Sequence, residues 1–250
     1  MQSNQRSKSL EKHLAQEHNQ SPLAEYLKEI VYGGNDGIVT TFAVVAGFTG
    51  AQSSNSDLMQ MSFLTVLLFG LANLFADGLS MGLGNYLSVR AEQDVFTAAE
   101  TKERHEITNN PESEAEETID ILVHKGFSQQ DAEKLTEIYK SNPDYWVDWM
   151  MHHELEMPNP ASINPLYTGL ATFLAFIFFG AIPLIPYLLF PTDAHTTFTA
   201  SCIATFSALV LLGLVKWKVI NQKLVRSVTE SVLIGGTSAV VAYIVGIFFR

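Results

Sequence analysis

The chain has 250 residues, 47% of them hydrophobic, and a formal charge of −11, but the apolar and the acidic residues are kept apart in sequence. Apolar residues gathered in blocks exclude an ordinary soluble domain, and a single cysteine, Cys202, excludes both a disulfide framework and a thiolate zinc site. No phosphate-binding glycine loop and no Ser, His, Asp constellation supports an enzyme, and nucleic acid is not an expected partner.

Residues 1 to 30 carry Arg6, Lys8, Glu11, Lys12, Glu17, Glu25, Lys28 and Glu29 with no apolar core, so no secretory signal is read and the N-terminus is expected in the cytosol. Five apolar runs follow, from about Gly33 to Gln52, Ser62 to Val89, Pro165 to Phe190, Thr196 to Val215 and Ser231 to Phe249. Each is near or above the ~20 residues that a helix needs to cross a bilayer. The expected fold is an all-α membrane protein of five transmembrane helices, with the termini on opposite sides. Of the 15 Lys and Arg residues, all but Arg250 fall on the side this topology assigns to the cytosol, as the positive-inside rule requires.

The first run contains Asp36 in "YGGNDGIVTTF" and the second contains Asp77 in "LANLFADGLSMGLGNYLS". An ionisable group inside a span marks a functional site by default, since its insertion costs roughly 2.5 to 3.5 kcal/mol. Helical steps back from Asp36 reach Tyr32, Glu29 and Glu25, a polar stripe that reads as an entry path. Asn73, Asp77 and Met81 fall four apart on one face of the second span. Gly33, Gly34, Gly37, Gly47 and Gly50, with Gly70, Gly78, Gly82 and Gly84, supply small faces for close helix packing, which are read as an oligomer or bundle interface, with the first two spans expected at the centre of a homodimer.

Between the second and third runs, Glu92 to Glu156 holds 17 acidic and 5 basic residues, so essentially all of the net charge is local. Apolar periodicity, with Ile119, Ile121, Leu122 and Val123 and then Leu135, Ile138 and Tyr139, predicts a cytosolic insert of three to four helices, the first continuing from the second span. Gly126 suits a C-cap, Ser128 with Asp131 a capping box, and Pro111 and Pro143 mark the other joints. The boundaries expected are 1–95 for the N-terminal helix and spans one and two, 96–160 for the acidic domain, and 161–250 for spans three to five. Glu100, Glu103 and Glu106 recur every three residues, and Glu114 and Glu117 repeat that spacing. In "WVDWMMHHELEM", Met150 and Met151 both lie within a helical turn of Glu154. Like charges at these spacings repel by a few tenths of a kcal/mol per pair. A divalent cation relieves that repulsion, and thioether with imidazole favours a first-row transition metal over calcium or magnesium; the alternatives are a solvated acidic face and, for one of the two methionines, packing against Trp146 and Trp149.

Three stretches, "EIVYGGNDGIVTTFAVVAG", "FADGLSMGLGNYLSVRAEQD" and "WVDWMMHHELEM", resemble the vacuolar iron transporter family in order along residues 20 to 250. The resemblance implies export of ferrous iron, often also manganese, from the cytosol in exchange for protons. It also implies a dimer of five-helix protomers, each with a cytosolic metal-binding domain between spans two and three. By motif, Asp36 and Met81 correspond to the intramembrane transport site, with Glu25 and Glu29 near its entrance. Glu103, Glu106, Glu114, Glu117, Met150, Met151 and Glu154 correspond to the metal-capturing set. Two departures stand out: Asn73 occupies a position where a carboxylate occurs in some members, and His152 and His153 are not usually both histidine. The paired histidines, with His153 as the candidate ligand, widen the expected metal range towards zinc or cobalt. The expected ligands are the divalent metals themselves, Fe2+ first, with no resident cofactor; protons and membrane lipid are the other partners. A chain ending directly after its fifth span fits a bacterial inner membrane. A membrane-anchored metal buffer or sensor is the alternative function.

Overall fold

The structure is a computed structural model that describes residues 22–51, 59–189, 193–220 and 223–248. Arg6, Lys8 and Lys12 of the N-terminal tail, Gln52 with the rest of the connection over 52–58, and Arg250 lie outside the described residues. Every described element is helical: α1 (Pro22–Glu25), α2 (Leu27–Ala51), α3 (Met59–Asn109), α4 (Pro111–His124), α5 (Gln129–Lys140), α6 (Pro143–His153), α7 (Pro165–Ala181), α8 (Ile185–Leu189), α9 (Ala194–Ile220) and α10 (Leu224–Phe248), with 3-10 turns at Pro160–Ser162 and Ile182–Leu184.

Among these, α3, the α7–α8 pair, α9 and α10 are long and apolar enough to cross a membrane. At 25 residues α2 has the length, but Asn35, Asp36 and its glycines dilute its apolar character. Helices α2, at Leu27, and α10, at Leu224, start well before their apolar runs, because polar residues at a helix end need no burial to keep the backbone hydrogen-bonded. The third apolar run is broken at Ile182–Leu184, where Pro183 and Pro186 remove amide donors and clash with the preceding turn. Ser201 on α9 donates to the carbonyl of Pro183 at 2.7 Å, which satisfies an acceptor exposed by that break. No proline interrupts α3, which runs for 51 residues.

The chain divides into two compact units, one of residues Met1–Asn85 with Leu166–Arg250 and the other Tyr86–Pro165. In the first, Phe42, Val45, Val66, Leu74, Phe176 and Leu184 form one apolar cluster, and Ile38, Phe179, Ala208, Leu209 and Leu212 another. Gly33, Gly34 and Gly37 of α2 and Gly70, Gly78 and Gly82 of α3 pack inside the protomer, the bundle contact that the sequence allows beside an interface between copies. A Cβ on Gly33 would lie 2.6 Å from the carbonyl oxygen of Thr172, one on Gly37 would meet the carbonyl of Phe176, and one on Gly82 would lie 2.9 Å from that of Gly169. Helix α7 therefore seats directly on the backbones of α2 and α3, and Asn85 fastens α3 to it with a 2.7 Å hydrogen bond to the Thr172 hydroxyl. Only tertiary structure distinguishes such a contact from one between copies, since both require a row of small residues.

The second unit is built from the end of α3 with α4, α5 and α6. Its core joins Phe96 and Ile107 of α3 to Ala115 and Leu122 of α4, Ala132 of α5, and Trp146, Val147, Trp149, Met150 and Met151 of α6. The joints are those expected: Gly126 adopts φ +100° after the C-cap of α4, the left-handed conformation that favours glycine. Ser128 caps α5 by accepting from the Asp131 amide at 3.2 Å, and Pro111 and Pro143 open α4 and α6. Leu122 is buried, whereas Val123 and Ile138 are exposed. Successive helical residues point 100° apart, so an apolar run cannot bury all its members.

Candidate metal centre

Three helices contribute to one acidic cluster in the second unit. Glu103 comes from α3, Glu114 from the first turn of α4, and Glu154 from the C-cap of α6, and they place carboxylate oxygens within 4.8 Å of one another. The local sequence produces each placement. Three-residue steps drift by about 60° around a helix, so Glu103 points inwards while Glu100 and Glu106 fall on either side of it. Pro111 starts α4 so that Glu114 lies three residues into it. The Glu154 amide donates to the Met150 carbonyl at 2.9 Å, which ends α6 with the carboxylate at its rim.

Glu103 is 3% exposed and Glu114 5%, and each keeps one buried oxygen with no hydrogen-bond partner. Burial, followed by the charges of Glu154, Glu114 and Glu106, pushes the Glu103 carboxyl up to about 8. Glu114 is raised by burial and then by Glu117, Glu154 and Glu106, and Glu154 by burial and then by Glu117 and Glu106. Two orphaned oxygens beside three converging carboxylates fit a divalent cation, which supplies the missing charge and the missing partners at once. Glu106 and Glu117 act on this cluster through their charge, although Glu106 also pairs with Lys102 at 3.5 Å.

The remaining residues read from the sequence are placed differently. Glu100 turns to Arg104, 3.3 Å away, and Arg104 also binds Asp144; Glu100 is part of an ion-pair network linking α3 to α6. Met150 and Met151 are fully buried in the apolar core, and the Met150 sulfur lies 3.3 Å from the Thr118 hydroxyl. The His153 ring packs edge-on against Trp149 at 4.7 Å, and burial, then Lys125 and His152, hold its imidazole below the usual histidine range. It is outside the carboxylate group found among the described residues. Thr118 and the Arg104–Asp144 pair were not legible in sequence; helical threonines and surface ion pairs are too common to stand out.

In the first unit, Asp36 and Asp77 are half-buried and near enough for their charges to interact. Thr40 donates to the Asp36 carbonyl at 2.8 Å. Asn73 has a buried amide nitrogen without a partner, as does the Thr41 hydroxyl, and Met81 packs partly buried against the cluster of Phe42 and Phe176. Glu29 is 9% exposed, but Glu25 is exposed on α1, separated from α2 by a turn at Tyr26. Tyr32 is 65% exposed, so the expected stripe is buried at Glu29 and open on either side of it.

The VIT family profile matches residues 27–247. The chain belongs to the VIT family. It is 37% identical to the vacuolar iron transporter of Toxoplasma gondii over 238 residues, 92% of this chain and 76% of that protein. It is 34% identical to the vacuolar iron transporter of Plasmodium falciparum over 250 residues, 97% and 88% of the two chains. Vacuolar iron transporter 1 of Arabidopsis thaliana is 33% identical over 219 residues, 88% and 84%. VIT proteins are transporters, not enzymes. The bacterial inner membrane expected from the sequence has no counterpart in these vacuolar relatives. The VIT match runs through both units, so the acidic cluster, Asp36 and Asp77 lie within the region shared with the family.

Proposed function

We propose that the protein carries a divalent transition metal, ferrous iron first and manganese, cobalt or zinc next, out of the cytosol in exchange for protons. The observation that carries this reading is the convergence of Glu103, Glu114 and Glu154 with two unpartnered buried oxygens in a chain of a transporter family. The cluster collects metal and raises its local concentration; Asp36 and Asp77, with Met81 and Asn73, then pass it across, with Glu29 and Glu25 near the entrance. A cation and a proton compete for the same carboxylate, which couples the two movements when the site opens alternately to each side. Met81 adds a neutral, soft donor that favours ferrous iron over calcium and magnesium.

The proposed arrangement has five spans, with α2 as the first, a cytosolic N-terminus and a homodimeric assembly. The lysine and arginine distribution supports the orientation. Gly33, Gly34, Gly37, Gly70, Gly78 and Gly82 pack within the protomer, while a Cβ on Gly84 would meet nothing within 4 Å and leaves that part of α3 open to a partner copy. A metal buffer without transport gains no support from the Asp36–Asp77 pair, since a mere anchor does not require intramembrane carboxylates. Proteoliposomes distinguish carrier from buffer: an Fe2+ gradient is expected to drive opposing proton movement, and metal binding with no proton flux above protein-free vesicles would refute antiport.

A further inference from the structure

Helices α2 and α7 lie side by side and run in the same direction, since the close approach of Gly33 to Thr172 is followed, one turn on in both, by that of Gly37 to Phe176. Beside this contact a groove of about 530 Å³ lies between Leu23, Tyr26 and Ile30 on one wall and the surface of α7 on the other. On α7, Ala171 and Ala175 stand one turn apart and form a floor of small side chains. Leu174 and Phe178, 60% and 63% exposed, form a rim along it. Phe179 follows the alanines in the same row and meets the Phe178 ring edge-on at 5.2 Å, so the lining ends at an aromatic pair. At the other end the Tyr26 hydroxyl interacts with the Glu25 carboxylate and is near enough to Tyr167 for their charges to interact.

We infer that this groove seats one acyl chain of a membrane phospholipid whose headgroup carries an ammonium group. The lining selects a hydrocarbon occupant. Of its eight side chains only Tyr26 carries a polar atom, so water, which needs two or more polar partners, has nothing to hold it there. The depth selects a single chain. Tyr26 and Tyr167 mark the level of the membrane surface, where tyrosine rings collect. From Tyr167 to Phe179 α7 rises about 18 Å, close to the roughly 15 Å of half a hydrocarbon core. A transmembrane helix of a second copy crosses both leaflets and would run past the Phe178–Phe179 end, whereas an acyl chain stops within one. Charge selects the headgroup. Glu25 and Glu29 both act on the Tyr26 hydroxyl, while Lys28, two residues before Ile30, falls about 200° from it around α2, on the side away from the groove. The mouth therefore repels an anionic headgroup and attracts an ammonium. In a bilayer the chain exchanges one apolar setting for another, so shape and headgroup, not burial from water, set the preference.

The test uses the full-length protein in mild detergent, incubated with equal amounts of phosphatidylethanolamine and phosphatidylglycerol of the same acyl chains, and native mass spectrometry counts the lipids retained. The wild type is expected to retain a single lipid, phosphatidylethanolamine exceeding phosphatidylglycerol by about threefold, the scale of an exposed charge pair, and Glu25→Gln should reduce that preference. Ala171→Phe fills the floor and should lose the lipid. Phe178→Ala lowers an exposed part of the rim, where substitution leaves the fold intact, and should lose it as well. A wild type that retains no lipid, or that retains both lipids alike, overturns the inference. So does an unchanged lipid count in folded Ala171→Phe and Phe178→Ala, and a fall in oligomer mass with the count unchanged would assign the groove to a second copy instead.

Discussion

Glu103 on α3 and Glu114 on α4 bring carboxylate oxygens within 4.8 Å of each other in a buried setting, and each retains an oxygen without a hydrogen-bond partner. Among the described residues neither forms an ion pair with a lysine or arginine, whereas their half-buried neighbours Glu100 and Glu106 are paired with Arg104 and Lys102. The basic residues of this unit thus relieve the rim of the acidic cluster and leave its centre to a cation or a proton.

Stability without metal should therefore depend on pH in a specified direction. The Glu103 carboxyl is raised from 4.5 to about 8, so the folded state holds this proton more tightly than the unfolded one. Its contribution is fully present below about 4.5 and is lost as pH rises to about 8. Thermal melts of the chelated protein between these values should show a falling midpoint, flattened in Glu103→Gln; a midpoint equally steep in that variant would assign the dependence to other groups. Saturating metal should reverse the trend, because it binds the ionised carboxylates.

Metal binding should divide the glutamates into two groups. Glu103→Ala, Glu114→Ala and Glu154→Ala are each expected to weaken Fe2+ or Co2+ binding by roughly tenfold or more, whereas Glu100→Ala, removing a partner of Arg104, should change it by no more than about twofold. Calorimetry on the intact protein in detergent reads both. Equal losses at Glu100 and Glu103 would mean that the sequence spacing, not the observed convergence, describes the site.

Under the proposed mechanism, transport should separate Asp36 from Met81. Asp36→Asn is expected to abolish metal flux and its pH dependence in proteoliposomes, while Met81→Ala should retain flux with weakened preference for Fe2+ over other divalent ions. Proton-coupled transport at wild-type rate in Asp36→Asn would transfer the role to Asp77.

Gly37→Leu should act on the protomer. Its side chain would be driven into the backbone of α7 at Phe176, and overpacking of this kind costs about 1–3 kcal/mol or more. The expected result is a lowered melting midpoint and lower yield of folded protein. Full folding stability with selective loss of dimers would restore the reading of this face as an interface between copies.

Much of this molecule follows from sequence because its signals are local. Helix content, the cap at Ser128, the turn at Gly126, the proline-marked starts of α4 and α6, and the apolar character of four helices each depend on residues within a few positions of one another. The family resemblance is also carried by short motifs. What the sequence could not decide were questions of which faces meet. Glu100, Glu103 and Glu106 share a spacing, yet only Glu103 points into the cluster, because the direction of each side chain acquires meaning only when α4 and α6 pack against α3. The glycine rows of α2 and α3 announce close contact, but only the placement of α7 shows what they contact. Periodicity is set within a helix, whereas the partner across each face is set by the packing of the whole chain.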